Sequence, residues 1–190
     1  MFEEIKELDG QIVVNQWIEW DHIGVPNYPK EYREICRAIL SLTGHCVSCT
    51  ALDGCYFIER NMPAYPLHNF CDCKKIKTSI YKVKRNAKAE CPISKFTDYI
   101  FTDDIKSKGK KKIFELLGYG KSDSEILKKE LENQALKEYL SGNYLLKNLD
   151  GNGQRVSIPV FLAGKGFYTG WILEPEGHVR NTTPFVGWVL

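Results

Sequence analysis

Cys46-Val47-Ser48-Cys49 opens a stretch that turns at Leu52-Asp53-Gly54 and runs through Pro63-Ala64-Tyr65-Pro66-Leu67-His68 to close on Cys71-Asp72-Cys73. Four cysteines and one histidine fall within these 28 residues. A C-x2-C turn sets two thiolates on one side of a metal, and a second short pair completes the tetrahedron. The spacing therefore predicts a structural zinc site. Cys46, Cys49, Cys71 and Cys73 are the simplest ligand set. His68 competes for one of the four places, since C-x2-C with H-x2-C serves as well, or else it sits beside the metal as a turn residue. Four protein ligands leave no open position for substrate, so the ion is expected to hold the fold and not to act on anything.

The cysteines also bear on the compartment. There are seven in 190 residues, an odd number crowded into close pairs. A disulfide framework spreads its cysteines and follows a secretory signal. Here the chain is charged from Glu3 onward and no apolar run approaches the length of a membrane span. A reduced compartment is expected, cytoplasmic or virion-associated, with no signal peptide and no membrane partner. A charged fraction of 26% beside 43% hydrophobic residues is that of a globular protein. The net charge of +2 is too small to imply nucleic acid by itself. Its distribution is uneven: residues 74–88 hold seven cations and no acid, and residues 106–112 read Lys-Ser-Lys-Gly-Lys-Lys-Lys.

On the N-terminal side, Gln11 to Trp20 is β-branched and aromatic and predicts a strand. Pro26 and Pro29 interrupt the chain beyond it. Lys30 to Leu42 has apolar residues at helical spacing, Cys36 among them as a core thiol, and Gly44 is the stop. After the turn at Asp53-Gly54, Cys55 to Ile58 predicts a short strand. Ile76 to Cys91 reads as a basic linker, with an edge strand in the alternation of Ile80-Tyr81-Lys82-Val83-Lys84. The boundary is placed at Cys91-Pro92. This gives an N-terminal module over residues 1–91 and a second domain over 92–190.

The second domain begins with short helices at Ile93–Ile100 and Lys111–Leu117. Ser122-Asp123-Ser124-Glu125 predicts a capping box at the head of the best helix, roughly Asp123 to Leu140, with Ile126, Leu127, Glu130, Leu131, Ala135 and Leu136 giving most of its apolar face. From Asn143 the period becomes alternating. Tyr144–Leu146 and Arg155–Phe161 flank a hairpin loop at Asp150–Gly153. Phe167–Leu173 and Phe185–Leu190 add strands. The fold class expected is α+β, a zinc-knuckle module followed by helices packed on an antiparallel sheet.

The pattern Cys-x2-Cys-x3-Asp-Gly-x2-Phe followed by Pro-x2-Pro-Leu-His-x2-Cys-x-Cys resembles the C-terminal signature of the Mu F-type minor head proteins of tailed phages. The resemblance covers residues 46–73. Asp72 stands where that family has Arg, and the long helical region before the signature is absent. The resemblance implies a phage or prophage origin, with zinc as structural cofactor and phage structural proteins among the partners. Residues 93–190 more weakly resemble barnase, EndoU and colicin-type toxin domains, which implies a metal-independent ribonuclease acting on RNA.

That chemistry needs a base near the 2′-hydroxyl, an acid for the leaving oxygen and cations for the developing charge. His178, Arg180, Thr183 and Lys112 are the catalytic candidates. Thr182, Arg155, Lys110 and Lys111 are available nearby in type. Glu176 to Thr183 is read as a loop between strands, where sites are displayed. The competing reading makes Glu-Gly-His an ordinary turn and the lysine run a solvated face. The chain is then a non-catalytic phage head-associated or accessory protein, binding another protein or nucleic acid.

Overall fold

The computed structural model describes residues 5–8, 11–14, 17–21, 45–67, 73–102 and 107–189. Among these residues the fold is α+β, with three sheets. Strands β1 (Ile5–Leu8) and β2 (Gln11–Val14) form an antiparallel hairpin. Strand β3 (Trp17–Asp21) is the centre of a second antiparallel sheet, between β4 (Tyr56–Ile58) and β5 (Lys74–Thr78). The stretch read as one strand over Gln11–Trp20 is thus two. The turn at Asp53-Gly54 is present, with Gly54 at φ +70, and it leads into β4.

The third sheet has five strands in the order β6 (Ala89–Glu90), β10 (His178–Trp188), β9 (Lys165–Glu174), β8 (Gly153–Leu162), β7 (Leu145–Asp150). All neighbours are antiparallel except β6, which lies parallel to β10. The β7–β8 hairpin closes where the sequence placed it. Asp150 accepts from the Asn152 amide at 2.8 Å and from Arg155 Nε at 2.8 Å. The Arg155 bond, with the Asn152 amide second, holds the Asp150 carboxyl below its ordinary range. Beyond β7, the exposed side of β8 is completed by a side chain. Gln134 donates to the Phe161 carbonyl at 2.9 Å and accepts from its amide at 2.8 Å. Pro159, between these positions and the end of β7, has no amide to leave unpaired.

Among the described residues four α-helices accompany the sheets: α1 (His45–Leu52), α2 (Ile80–Asn86), α3 (Lys108–Leu116) and α4 (Ser124–Leu140). Leu127, Leu131, Ala135 and Tyr139 recur every four residues along α4 and are buried. That stripe packs toward β8 and β6, while α1 packs against β7, β8 and β9. The middle of the sheet is accordingly covered on both faces, with Val156 to Val160 and Thr169 to Leu173 buried in unbroken succession. Helix α4 also ties the smaller sheet down. The Tyr139 hydroxyl donates to the Tyr56 carbonyl at 2.8 Å, and Trp17 meets the Tyr139 ring edge-on at 5.4 Å. Just past α4, the Tyr144 hydroxyl accepts from the Ile58 amide at 3.1 Å and donates to the Asn61 carbonyl at 3.2 Å. One cluster of buried residues runs from Trp17 to Val179, on both sides of Cys91.

Cys46 and Cys49 both lie in helix α1. Local readings are corrected in two places. Ile80 to Lys84 is not an edge strand but the body of α2. The apolar pair there is Ile80 and Val83, a helical spacing, and Ser79 caps the helix by accepting from the Lys82 amide at 3.3 Å. The long helix starts at Ser124. Its entry is a short 3-10 turn over Lys121–Asp123, in which Asp123 Oδ2 accepts from the Gly120 amide at 2.7 Å. The helix expected over Lys30–Leu42, with Cys36, lies outside the described residues. None of the described helices is long and apolar enough to cross a membrane.

Candidate functional site

Strand β10 is irregular where it matters. Asn181 stands opposite Trp171 on β9, but the next pair is Thr183 with Gly170, so Thr182 is an extra residue. A bulge of this kind bends the strand and turns side chains out of strict alternation. Consecutive Thr182 and Thr183 consequently line the same cleft. Two neighbours hold the bulge. Gly170 leaves the space: a Cβ there would stand 2.8 Å from Thr183 Cγ2 and 3.1 Å from Thr182 Oγ1. Asn181, buried, donates through its side-chain amide to the Gly170 carbonyl at 3.2 Å and to the Thr183 carbonyl at 3.4 Å.

The facing wall is the segment after Cys91. Phe96 and Ile100 are buried in a π-helical turn, Phe96–Ile100. This leaves Ser94, Lys95, Asp98 and Tyr99 toward the cleft. Lys95 Nζ reaches across to the Thr182 carbonyl at 3.1 Å. The third wall is the first turn of α3. Lys110 Nζ donates to Thr183 Oγ1 at 2.8 Å and lies 5.1 Å from the centre of the Tyr99 ring. Thr183 Oγ1 in turn donates to the Phe185 carbonyl at 3.2 Å. The cleft is open to solvent and has a volume of about 420 Å³.

The cleft thus gathers two ammonium groups, one carboxylate and the hydroxyls of Ser94, Tyr99, Thr182 and Thr183. Positive charge exceeds negative, and the hydroxyls of Ser94, Tyr99 and Thr182 can donate, while that of Thr183 is committed to the Phe185 carbonyl. Such a donor set suits a small oxyanion or one phosphate of an ester. Tyr99 and Thr183 hold the Lys110 ammonium in place before any ligand arrives, which lowers the ordering cost of binding.

The residues proposed from sequence divide. Thr183 and Thr182 are in the cleft, and so is Lys110 of the lysine run. Lys112 is exposed, two residues further along α3 and so about 200° around the helix from Lys110. His178 and Arg180 lie at the other end of β10, and His178 is five residues from Thr183, roughly 16 Å of strand. Arg180 Nε is held by Glu174 Oε1 at 2.5 Å, and Arg155 by Asp150. The supposed loop over Glu176–Thr183 is a loop only through Pro175–Gly177, and β10 begins at His178. Lys95 and Asp98 carried no motif. The one signal for the bulge was Gly170 inside a strand pattern, which marks a bulge or a close approach.

Of the expected zinc ligands, Cys49 and Cys73 are buried in the common core. Cys46 lies in α1, and His68 and Cys71 lie outside the described residues. Among the described residues no group of three or more His, Cys, Asp or Glu is placed to hold a metal. Two other thiols, Cys55 and Cys91, are buried, and burial pushes each up to about 12 from 9.0. A thiol whose folded value is raised stabilises the fold below its unfolded value, and that stabilisation is lost as pH rises. Stability is expected to fall between about pH 9 and 12, where the unfolded chain ionises and the folded chain does not. Urea titrations at pH 7, 9 and 10.5 check this. A Cys55→Ser, Cys91→Ser double variant should show a shallower alkaline decline, and an identical decline would contradict the assignment.

Comparison of the chain with protein-family models, with curated proteins and with solved structures gives no match.

Proposed function

We propose that this chain binds RNA through its phosphates and seats one phosphodiester in the cleft between Lys95, Lys110, Thr182 and Thr183. The observation that carries the reading is the pair of ammonium groups drawn to adjacent residues of one bulge, each already hydrogen-bonded there. A space of about 420 Å³ is of the size that takes a single nucleotide unit. Lys110→Ala is expected to weaken binding of a fluorescent single-stranded RNA about tenfold, the ~1.4 kcal/mol of one charge-assisted hydrogen bond. Fluorescence anisotropy at fixed salt measures it. Unchanged affinity in both Lys110→Ala and Lys95→Ala would sink the reading.

A second reading, a metal-independent ribonuclease in a phage- or prophage-derived protein, is favoured by Asp98. Its carboxylate lines the same cleft as the two lysines, the combination of base and cations that attack by a 2′-hydroxyl requires. The full chain incubated with total RNA, with and without EDTA, separates the two. Cleavage that survives EDTA, is lost in Asp98→Asn and persists in His178→Ala supports the enzyme. RNA that stays intact while bound leaves the binding reading alone.

The zinc clip is likewise a proposal, with zinc held by Cys46, Cys49, Cys71 and Cys73 or by His68 in place of one of them. The C-x2-C and C-x-C spacing of the thiols, with Cys49 and Cys73 both buried, supports it. Native mass spectrometry of protein purified without chelator should show one zinc per chain, and metal-free protein would end it.

A further inference from the structure

Strand β5 and helix α2 present a basic surface with aromatic rings set into it. Lys74, Lys75, Lys77, Lys84, Arg85 and Lys88 are all exposed. β5 is an edge strand of its sheet, and Lys74 through Lys77 are exposed in succession, so both of its faces meet solvent. Among the described residues, Glu19 pairs with Lys82 at 2.6 Å, Asp21 stands opposite Lys74 in the β3–β5 ladder, and Glu90, exposed, lies at the end that leads to the cleft. Two tyrosines lie among the cations: Tyr81, 61% exposed, and Tyr65, 43% exposed. Tyr65 is fixed from behind. Its hydroxyl donates to the Cys73 carbonyl at 2.8 Å, its ring meets Trp20 edge-on at 5.8 Å, and Lys75 Nζ lies 5.0 Å from its centre.

We infer that this face is a docking track for single-stranded RNA. Exposed cations alone would suit any polyanion. A rigid, half-exposed ring with a lysine beside it adds a platform on which a base can stack, and stacking is what single strands offer and acidic proteins do not. Lys75 and Lys77 share one side of an extended strand about 6.7 Å apart, a spacing comparable to that of phosphates in an unstacked strand.

The track also has a direction. Lys88 leads into β6, and its carbonyl accepts from the Val179 amide at 2.8 Å. Glu90 then lies beside Arg180, and the same run continues to Lys95, which reaches Thr182. From Val179 to Thr182 is about 10 Å of strand. RNA held on the basic face therefore leads along the β6–β10 edge to the cleft. The face stands on its own observations, and only this delivery rests on the cleft reading.

The test is anisotropy of a 5′-labelled U20 RNA with the full chain at 50 and 200 mM salt. Lys75→Gln with Lys77→Gln, and separately Lys84→Gln with Arg85→Gln, should each weaken binding at least tenfold at 50 mM salt. Each pair should also reduce the slope of log affinity against log salt by about 1.4, two phosphate contacts at 0.7 each. Tyr65→Ala and Tyr81→Ala should each weaken binding at least fivefold with the slope unchanged, the signature of stacking. Circular dichroism checks that the variants are folded. Full affinity in both lysine pairs overturns the track, as does binding to phosphatidylserine vesicles without binding to RNA. Loss in the pairs with full binding in both Lys110→Ala and Lys95→Ala sinks the cleft and leaves the track. The converse result sinks the track and leaves the cleft.

Discussion

Phe114→Ala lowers the stability of the fold by about 3–5 kcal/mol, the cost of a large cavity at a site that cannot collapse. Phe114 is wholly buried. Its ring is met edge-on by Phe96 at 6.0 Å, by Phe101 at 6.3 Å and by Phe167 at 6.1 Å. These partners come from two separate places: the π-helical turn with the residue after it, and strand β9. Truncation removes transfer free energy and three ring contacts of about 0.5–1.5 kcal/mol each at once. Against a total stability of about 5–15 kcal/mol this is a large share. Urea unfolding of the variant should show a lower midpoint with an unchanged slope. Phe114→Leu, which keeps most of the volume, should lose less than half as much. A loss under about 1 kcal/mol for the alanine variant would mean that α3 is not anchored through this ring. The cleft would then have no fixed third wall, since Lys110 rides on the same helix one turn earlier.

Gly170→Val acts on the site through the sheet. No side chain beyond hydrogen fits at this position: the first added carbon meets Thr183 Cγ2 at 2.8 Å, and Val186 Cγ2 is 3.3 Å away. Two further methyl groups force the bulge to move. Overpacking of this kind costs about 1–3 kcal/mol. The functional effect should be larger. Thr182 and Thr183 are the residues displaced, and Lys95 and Lys110 are both bonded to them. RNA affinity is expected to fall tenfold or more while the protein remains folded at 25 °C, in contrast to Phe114→Ala, where binding and folding fail together. Retained affinity would show that the bulge geometry does not set the cleft.

Sequence carried the strongly periodic parts. Leu127, Leu131 and Ala135 mark α4 unmistakably, and Asp150–Gly153 marks the β7–β8 hairpin. It failed where two periods agree over a few residues. Ile80-Tyr81-Lys82-Val83-Lys84 offers apolar positions that fit a strand or a helix until Ser79 is recognised as a cap. The site was half legible. Thr182, Thr183 and the lysine run were visible as residues of the right type. His178 drew attention because it is the only histidine after residue 68, but a residue's rarity says nothing of its position on a strand. Lys95 left no trace in the pattern. It is one lysine in a polar segment, and its role comes from the parallel pairing that brings β6 beside β10.

That pairing also orders events in time. Ala89 meets Val179 and Glu90 meets Arg180, partners some 90 residues apart in a chain made from one end. Ribosomal synthesis exposes the unpartnered β6 segment long before β10 exists. Contacts this distant are entropically late and slow the search for the native state. The cleft, built from residues on both sides of that gap, is therefore among the last features to form. A nascent or partly degraded chain lacking β10 has neither the two threonines nor a fixed position for Lys95, so the cleft is not assembled before synthesis has passed that strand.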